Sequence, residues 1–165
     1  MKIESMYELY LDGLRDQYSG EQQLIDALPK VVEAADLEEL KSAVAQHLEE
    51  TKQQARRLEQ IFDELSESPK GEECEAMKGL IKETAEVIKR VPEGSLRDAA
   101  LIAAACKVEH YEIAGYGTLK TFAEELGHSQ QASLLQSILD EEKHANETLS
   151  TIAMSTVNDL AMTIV

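Results

Sequence analysis

The sequence predicts an all-α protein built as a four-helix bundle, and three observations indicate this. The 165 residues include only eight Gly and three Pro, which leaves few turn signals for a sheet protein. Aromatic residues make up 4% and Trp is absent. Apolar residues recur at steps of three and four along most of the chain, which is the spacing of one face of an α-helix. The length is typical of one domain, predicted over residues 1–165.

The first two long helices are predicted from their apolar stripes. The first runs from about Ile3 to Leu28, where Pro29 is expected to end or kink it, because proline removes a helical hydrogen bond. The second is expected to start at Asp36, with Glu39 three residues later as the partner in a capping box. Its stripe continues as far as Leu65.

The second half of the chain holds one short and two long helices. A linker, 66–71, precedes the short helix at about Glu72–Lys89. After a Pro-Gly turn, the third long helix runs from Ser95 to about Leu126, and Gly127 is expected to stop it. Ser129 is expected to cap the last helix, which is predicted to run almost to the C-terminus.

The connection between the second and third long helices is the longest in the chain. A helix of ~26 residues spans about 40 Å, so the segment 66–94 is long enough to cross the length of the bundle. This predicts an up-down-down-up course with one long crossover, the ferritin-like connection, and places the short helix inside that crossover.

The charge balance excludes several classes of partner. Lys and Arg total 16 against 32 Asp and Glu, for a net charge of -16, whereas nucleic acids and anionic membranes require a basic surface. No apolar run approaches the ~20 residues of a membrane span, and the N-terminus lacks the apolar stretch of a signal peptide. Two cysteines are too few for a disulfide framework, and Cys74 is expected on the surface of the short helix. We therefore expect a cytoplasmic protein with no nucleic-acid or membrane partner.

Acidic residues interrupt the apolar stripe of every long helix near its middle. Burying five carboxylates and an imidazole without compensation costs several kcal/mol per charge, and no Lys or Arg lies on these stripes at the same level. Two divalent cations would neutralise them, and carboxylate with imidazole suits iron or manganese. The predicted ligands are Glu21 in the first helix, His47 and Glu50 in the second, Glu109 and Glu112 in the third long helix, and Glu142 in the last.

Two other kinds of side chain lie near these stripes. Glu141 and His144 have a ligand-like spacing, but they lie about 100° away from the stripe of the last helix, so we expect them to face away from the centre. Tyr18 and Tyr116 are expected in the core, with their hydroxyls hydrogen-bonded to a ligand carboxylate.

Four segments resemble the YciF/YciE family of bacterial ferritin-like proteins. They are YSGEQQLIDAL, HLEETKQQ, LRDAALIAAACKVEHYEIAGYGTL and LDEEK, and the similarity extends over nearly the whole chain. The resemblance implies a rubrerythrin-like four-helix bundle, a homodimer and an association with bacterial stress responses. The family has no established biochemical activity, so the resemblance implies a fold and a metal site and names no reaction.

The ligand pattern departs from that of other ferritin-like proteins, in which two helices each carry one Glu and the other two carry Glu-x-x-His. By resemblance, the matching positions are Glu21 and Glu109, with Glu112 as the extra Glu of rubrerythrins. The second helix has the reverse order, His47-x-x-Glu50, and the last has Glu142-x-x-Ala145. The predicted site thus has one imidazole where the ferritin-like oxidases have two. Metal binding remains the prediction.

Two classes of function stay open from the sequence. The first is a metal-binding protein with a dinuclear iron or manganese site, whose small oxidant would be peroxide or dioxygen. Whether it is an enzyme is open, because no organic substrate and no Cys-x-x-Cys pair for electron delivery is evident. The second is a structural or interaction protein of the stress response, whose interior acids share protons or bind metal adventitiously. Iron storage in a large shell is a third possibility, which the implied dimer disfavours.

Overall fold

The computed structural model describes residues 2–163, which form helices and no β-strand. The four long helices and the short one agree with the prediction, but Ser129 does not cap the last long helix: it is the first helical residue, and the N-cap residue His128 makes no side-chain cap. No described helix is long and apolar enough to cross a bilayer. The bounds are α1 Met6–Ala34, α2 Glu38–Leu65, α3 Glu75–Arg90, α4 Ser95–Glu125 and α5 Ser129–Ile152, followed by a π-helical segment Ala153–Val157 and α6 Asn158–Met162.

The long helices follow the up-down-down-up course that the sequence predicts. Short connections make α1 with α2, and α4 with α5, antiparallel neighbours. Helices α2 and α5 also pack antiparallel. Gln54 on α2 donates to Glu142 on α5, and nearer one end of the bundle Gln131 on α5 donates to Glu64 on α2, so the residue numbers rise along α2 as they fall along α5. The crossover that holds α3 packs on α1 and α4. The four long helices therefore bring their middles to one level.

The hydrophobic core is divided into two clusters. The first, which we call the upper cluster, includes Leu28, Val44, Leu101 and Leu149; the second, the lower cluster, includes Leu14, Leu58, Tyr116 and Leu135. Between these clusters lies a layer of buried polar side chains. Every buried acid predicted as a ligand belongs to this layer.

Helix α1 does not end at Pro29, so that part of the prediction is wrong. The helix continues to Ala34, and Pro29 lies inside it on the exposed face. A proline costs a helical hydrogen bond, but Leu28 and Val31 on either side pack into the upper cluster and hold the last turns in place.

The start of α2 also differs from the prediction. The helix begins at Glu38, and its N-cap residue Leu37 makes no side-chain cap. The backbone N–H groups of Asp36 and Leu37 donate instead to the buried carboxylate of Asp98 on α4, at 2.8 and 2.9 Å. The Asp36 carboxylate accepts from the backbone N–H of Gly94. A tertiary contact thus replaces the predicted local cap.

Cys74 is buried, whereas the sequence analysis placed it on the surface. It is the N-cap of α3, and its sulfur accepts a hydrogen bond from the Met77 backbone N–H. Its Sγ lies 3.0 Å from the Tyr111 hydroxyl on α4, and burial raises the pKa of its thiol. The cysteine is buried because the crossover folds back over α1 and α4, a long-range contact that local periodicity does not reveal.

Candidate metal centre

Four of the predicted ligands converge between the two core clusters. His47 from α2, Glu109 and Glu112 from α4, and Glu142 from α5 each offer a ligand atom, and these atoms all lie within 4.8 Å of one another. All four side chains are buried. Metal–ligand bonds to carboxylate oxygen and imidazole nitrogen measure about 2.0–2.2 Å, so this spacing is compatible with a shared cation.

The two other predicted ligands flank that group. Glu21 on α1 is fully buried, accepts a hydrogen bond from the Tyr116 hydroxyl, and lies close enough to Glu142 for their charges to repel. Glu50 is less enclosed, because its side chain is 26% exposed and its Oε2 lies 3.9 Å from His47 Nδ1. Glu21 therefore lies inside the bundle beside the four-residue group, and Glu50 lies at its rim.

The polar atoms of this layer are unusually poor in hydrogen bonds. Both oxygens of Glu112 and both ring nitrogens of His47 are buried without a hydrogen-bond partner among residues 2–163, although His47 Nε2 lies 3.3 Å from Glu109 Oε1. Oε2 of Glu21, of Glu109 and of Glu142 is likewise unpartnered within the described part of the chain. Buried polar groups are almost always satisfied. Oxygen-rich ligands with one imidazole, left free to bind, fit a divalent cation such as iron or manganese.

Burial also sets the protonation of the acids. Loss of hydration raises the pKa of Glu21, of Glu109 and of Glu112 well above the usual range for a carboxyl group, and the neighbouring Glu142 charge raises each of them further. In the absence of a cation, these side chains must therefore hold protons to stay buried near neutral pH. A bound cation would reverse that preference.

A hydrogen-bond network behind the layer positions Glu142. The Gln54 amide donates to Glu142 Oε1 at 2.5 Å and to Glu141 Oε2 at 3.0 Å. Glu141 also pairs with Arg57, at 2.5 Å, so its carboxylate is occupied outside the four-residue group. His144 is exposed. Gln54 was not among the residues predicted for the centre, although a polar residue seven positions after His47 on an apolar stripe is the same signal that identified the acids.

The two tyrosines of the sequence analysis have different roles. Tyr116 is buried and donates to Glu21, as expected. Tyr18 donates instead to Glu59, at 2.7 Å, so its predicted bond to a ligand carboxylate is wrong. Burial and that hydrogen bond raise the pKa of Tyr18 to about 12.

A cavity of about 290 Å³ adjoins the centre. His47, Glu50 and Glu109 line one part of it, and the remaining wall is largely apolar and comes from all five major helices. The centre is therefore accessible from a space that is larger than a single water molecule requires.

Comparisons with known proteins agree with the fold. A family profile described as "Domain of unknown function (DUF892)" matches residues 5–162. "Protein YciF" of Escherichia coli (strain K12) is 45% identical over 162 residues, 98% of either chain. The crystal structure of the E. coli stress protein YciF has a TM-score of 0.91 at 45% identity, covering 94% of this chain and 99% of that one.

Two further solved structures are similar. YcfI from Rhodopseudomonas palustris, proposed to be a structural protein, is 47% identical with a TM-score of 0.89, covering 92% of this chain and 97% of that one. A protein from Xanthomonas campestris pv. campestris is 21% identical with a TM-score of 0.75, covering 93% of this chain and 94% of that one, and it shows the fold alone. The all-helical bundle with its long crossover is thus confirmed.

Proposed function

The chain belongs to the family described as a domain of unknown function (DUF892), and we therefore propose its function from its own side chains. We propose that it is a metal-binding helical-bundle protein that holds a dinuclear iron or manganese centre. The observation that supports this most strongly is the layer of buried acids and one histidine whose polar atoms lack hydrogen-bond partners among residues 2–163. A protein that buried these groups for stability alone would be expected to satisfy them.

The proposed ligands divide into an inner and a flanking set. His47, Glu109, Glu112 and Glu142 form the inner set, and Glu21 and Glu50 flank it. A bound centre would supply redox chemistry, namely the reduction of peroxide or dioxygen, with ferrous ion as one electron donor that would be oxidised in turn.

The chain itself orients the ligands and limits access of water. The Tyr116 hydroxyl holds one oxygen of Glu21, and the Gln54 amide holds one oxygen of Glu142, which leaves the second oxygen of each acid free. The lower cluster closes one end of the layer with apolar side chains, whereas the cavity lies at the other end, among residues of the upper cluster. Water and small oxidants can therefore reach the ligands from the cavity side.

Metal analysis tests this proposal directly. Protein purified from cells supplied with iron, and apoprotein titrated anaerobically with ferrous or manganous ion, should bind close to two ions per chain. Glu109→Ala should lower that number, whereas Glu147→Ala, which changes an exposed acid on α5, should leave it unchanged. Binding near zero, or equal binding by wild type and Glu109→Ala, would refute the proposed centre.

A second candidate is a structural or interaction protein without redox chemistry. The R. palustris relative, which is 47% identical, is proposed to be a structural protein. In that case the acids would share protons, and gently purified protein would contain no stoichiometric metal. The metal analysis therefore separates the two candidates.

The biological setting is proposed from the relatives. The E. coli relative is a stress protein and is 45% identical, so we propose that this chain acts in a bacterial stress response, in the cytoplasm and as a homodimer. Sedimentation of the purified protein tests the dimer, and a change in its abundance under oxidative stress tests the response.

A further inference from the structure

The cavity beside the centre is mostly apolar. Fourteen of its lining side chains are aliphatic, and five of these are alanines, one from each major helix: Ala27, Ala43, Ala85, Ala105 and Ala145. The small methyl groups create the space. Ala145 follows Glu142 by three residues, so its methyl group lies about one helical turn from a proposed ligand. This small side chain leaves the cavity volume beside Glu142 open.

The size of the cavity is that of a small organic ligand. At about 290 Å³, it has roughly twice the volume of an apolar cavity of ~150 Å³ that accommodates benzene. This volume is just below the usual range for small-molecule pockets, about 300–1,000 Å³. A diatomic oxidant or peroxide would fill only a small part of it.

Polar groups are concentrated where the cavity meets the centre. His47 lies there, 8% exposed, with both ring nitrogens unpartnered among residues 2–163, together with Glu50 and Glu109. Elsewhere the polar lining is limited mainly to residues with exposed or half-buried side chains, such as Lys30, Gln46 and Thr84.

We propose that this cavity binds a neutral aliphatic molecule with one terminal polar group, its chain against the alanine wall and its polar group at the His47–Glu50 end. A hydroxyl group there can donate to the Glu50 carboxylate, while the chain displaces water from apolar surface, which is favourable. An anionic group is disfavoured at that end, because the Glu50 carboxylate lines it and the whole chain carries a net charge of -16.

This inference deepens the proposed function, and it rests on that function only in identifying the polar end of the cavity as a metal centre. The binding itself depends on side chains of this protein. It is therefore tested on metal-free protein, so that failure of metal binding and failure of ligand binding give different results.

The experiment uses 1-octanol as a neutral probe and octanoate as its charged analogue. Calorimetric titration in the presence of chelator should show saturable binding of 1-octanol, and octanoate should bind at least tenfold more weakly. Ala105→Leu and Ala43→Leu each extend a side chain into the cavity and should weaken 1-octanol binding at least tenfold. Ala103→Leu changes an exposed position on α4 and should leave binding unchanged.

Circular dichroism and metal stoichiometry show whether each variant is folded with its centre intact. If Ala105→Leu fails to fold, Ala43→Leu decides. Unchanged binding in the folded filling variants, no saturable binding by wild type, or octanoate binding as tightly as 1-octanol would overturn the proposal. Octanol binding as expected in a protein that takes up no metal would support this inference and refute the metal centre.

Discussion

Replacing Glu112 by Gln should strengthen the metal-free bundle while it weakens metal binding. Glu112 is 1% exposed, and both of its oxygens lack a hydrogen-bond partner within the described chain. Burial and the neighbouring acids raise the pKa of its carboxyl group well above the ordinary 4.5. Near pH 7 the folded apoprotein must therefore keep this group protonated, whereas the unfolded chain releases the proton.

The size of the effect follows from that proton. pH 7 lies about 2.5 units above the ordinary pKa, and one unit corresponds to about 1.4 kcal/mol, so keeping one such carboxyl protonated costs up to about 3 kcal/mol. Glutamine has nearly the same shape and needs no proton, but its amide has one more unpaired donor than the protonated carboxyl group, which costs about 1–3 kcal/mol. We expect a net gain of about 1 kcal/mol in the free energy of unfolding of the apoprotein.

Urea unfolding in EDTA at pH 7 measures this change, and metal titration of the same preparation measures the loss of ions. Glu147→Gln, at an exposed position, is the matched control and should change neither quantity appreciably. If Glu112→Gln loses more than about 1 kcal/mol of apoprotein stability, Glu112 makes hydrogen bonds that hold the bundle. If it still binds two ions per chain, it is not a ligand.

Three further changes test the fold and the centre. Metal-free protein should lose stability as the pH rises above about 4.5, because acids with raised pKa values keep protons in the folded state that the unfolded chain releases. Urea unfolding from pH 4.5 to 8 in EDTA should show a smaller loss for Glu112→Gln than for wild type. Equal slopes of the unfolding free energy against pH in the two proteins would contradict this. Asp98→Ala removes the acceptor of two partly buried hydrogen bonds from backbone N–H groups at the start of α2 and should cost about 2–4 kcal/mol by urea unfolding. The exposed Asp12→Ala should cost little; equal losses would argue against the cap. His144→Ala should leave metal stoichiometry intact and His47→Ala should lower it, because only His47 lies in the buried group; the reverse result in metal analysis would show that the exposed histidine is the ligand.

Helical periodicity predicted most of this fold and the level at which the acids meet. The prediction succeeds because each long helix buries a continuous stripe of side chains. An acid on that stripe, such as Glu112, must therefore point into the bundle, regardless of which helix packs against it. The same phase argument placed Glu141 outside the group, where it pairs with Arg57. Hydrogen-bond partners between helices, such as Gln54 with Glu142, depend on the relative height of two helices and were not predicted.

The errors occur where distant segments replace a local signal. Asp36 and Glu39 have the spacing of a capping box, but the carboxylate of Asp98, about 60 positions away in the chain, accepts the hydrogen bonds at this helix start. Pro29 has the local effect of a helix breaker, yet packing of Val31 into the upper cluster outweighs it. Local propensity cannot weigh such tertiary contacts.

The division of the core has a consequence for how far this scaffold can be redesigned. The upper and lower clusters each contain large apolar side chains from all four long helices, so neither relies on the intervening acids for its packing. Exchanging those acids for leucine and methionine would join the two clusters into one continuous interior, and buried charges replaced in this way often leave a protein equally or more stable. The middle of the bundle is thus a position where new ligand sets could be installed, or removed entirely, with the surrounding helices serving as an unchanged frame.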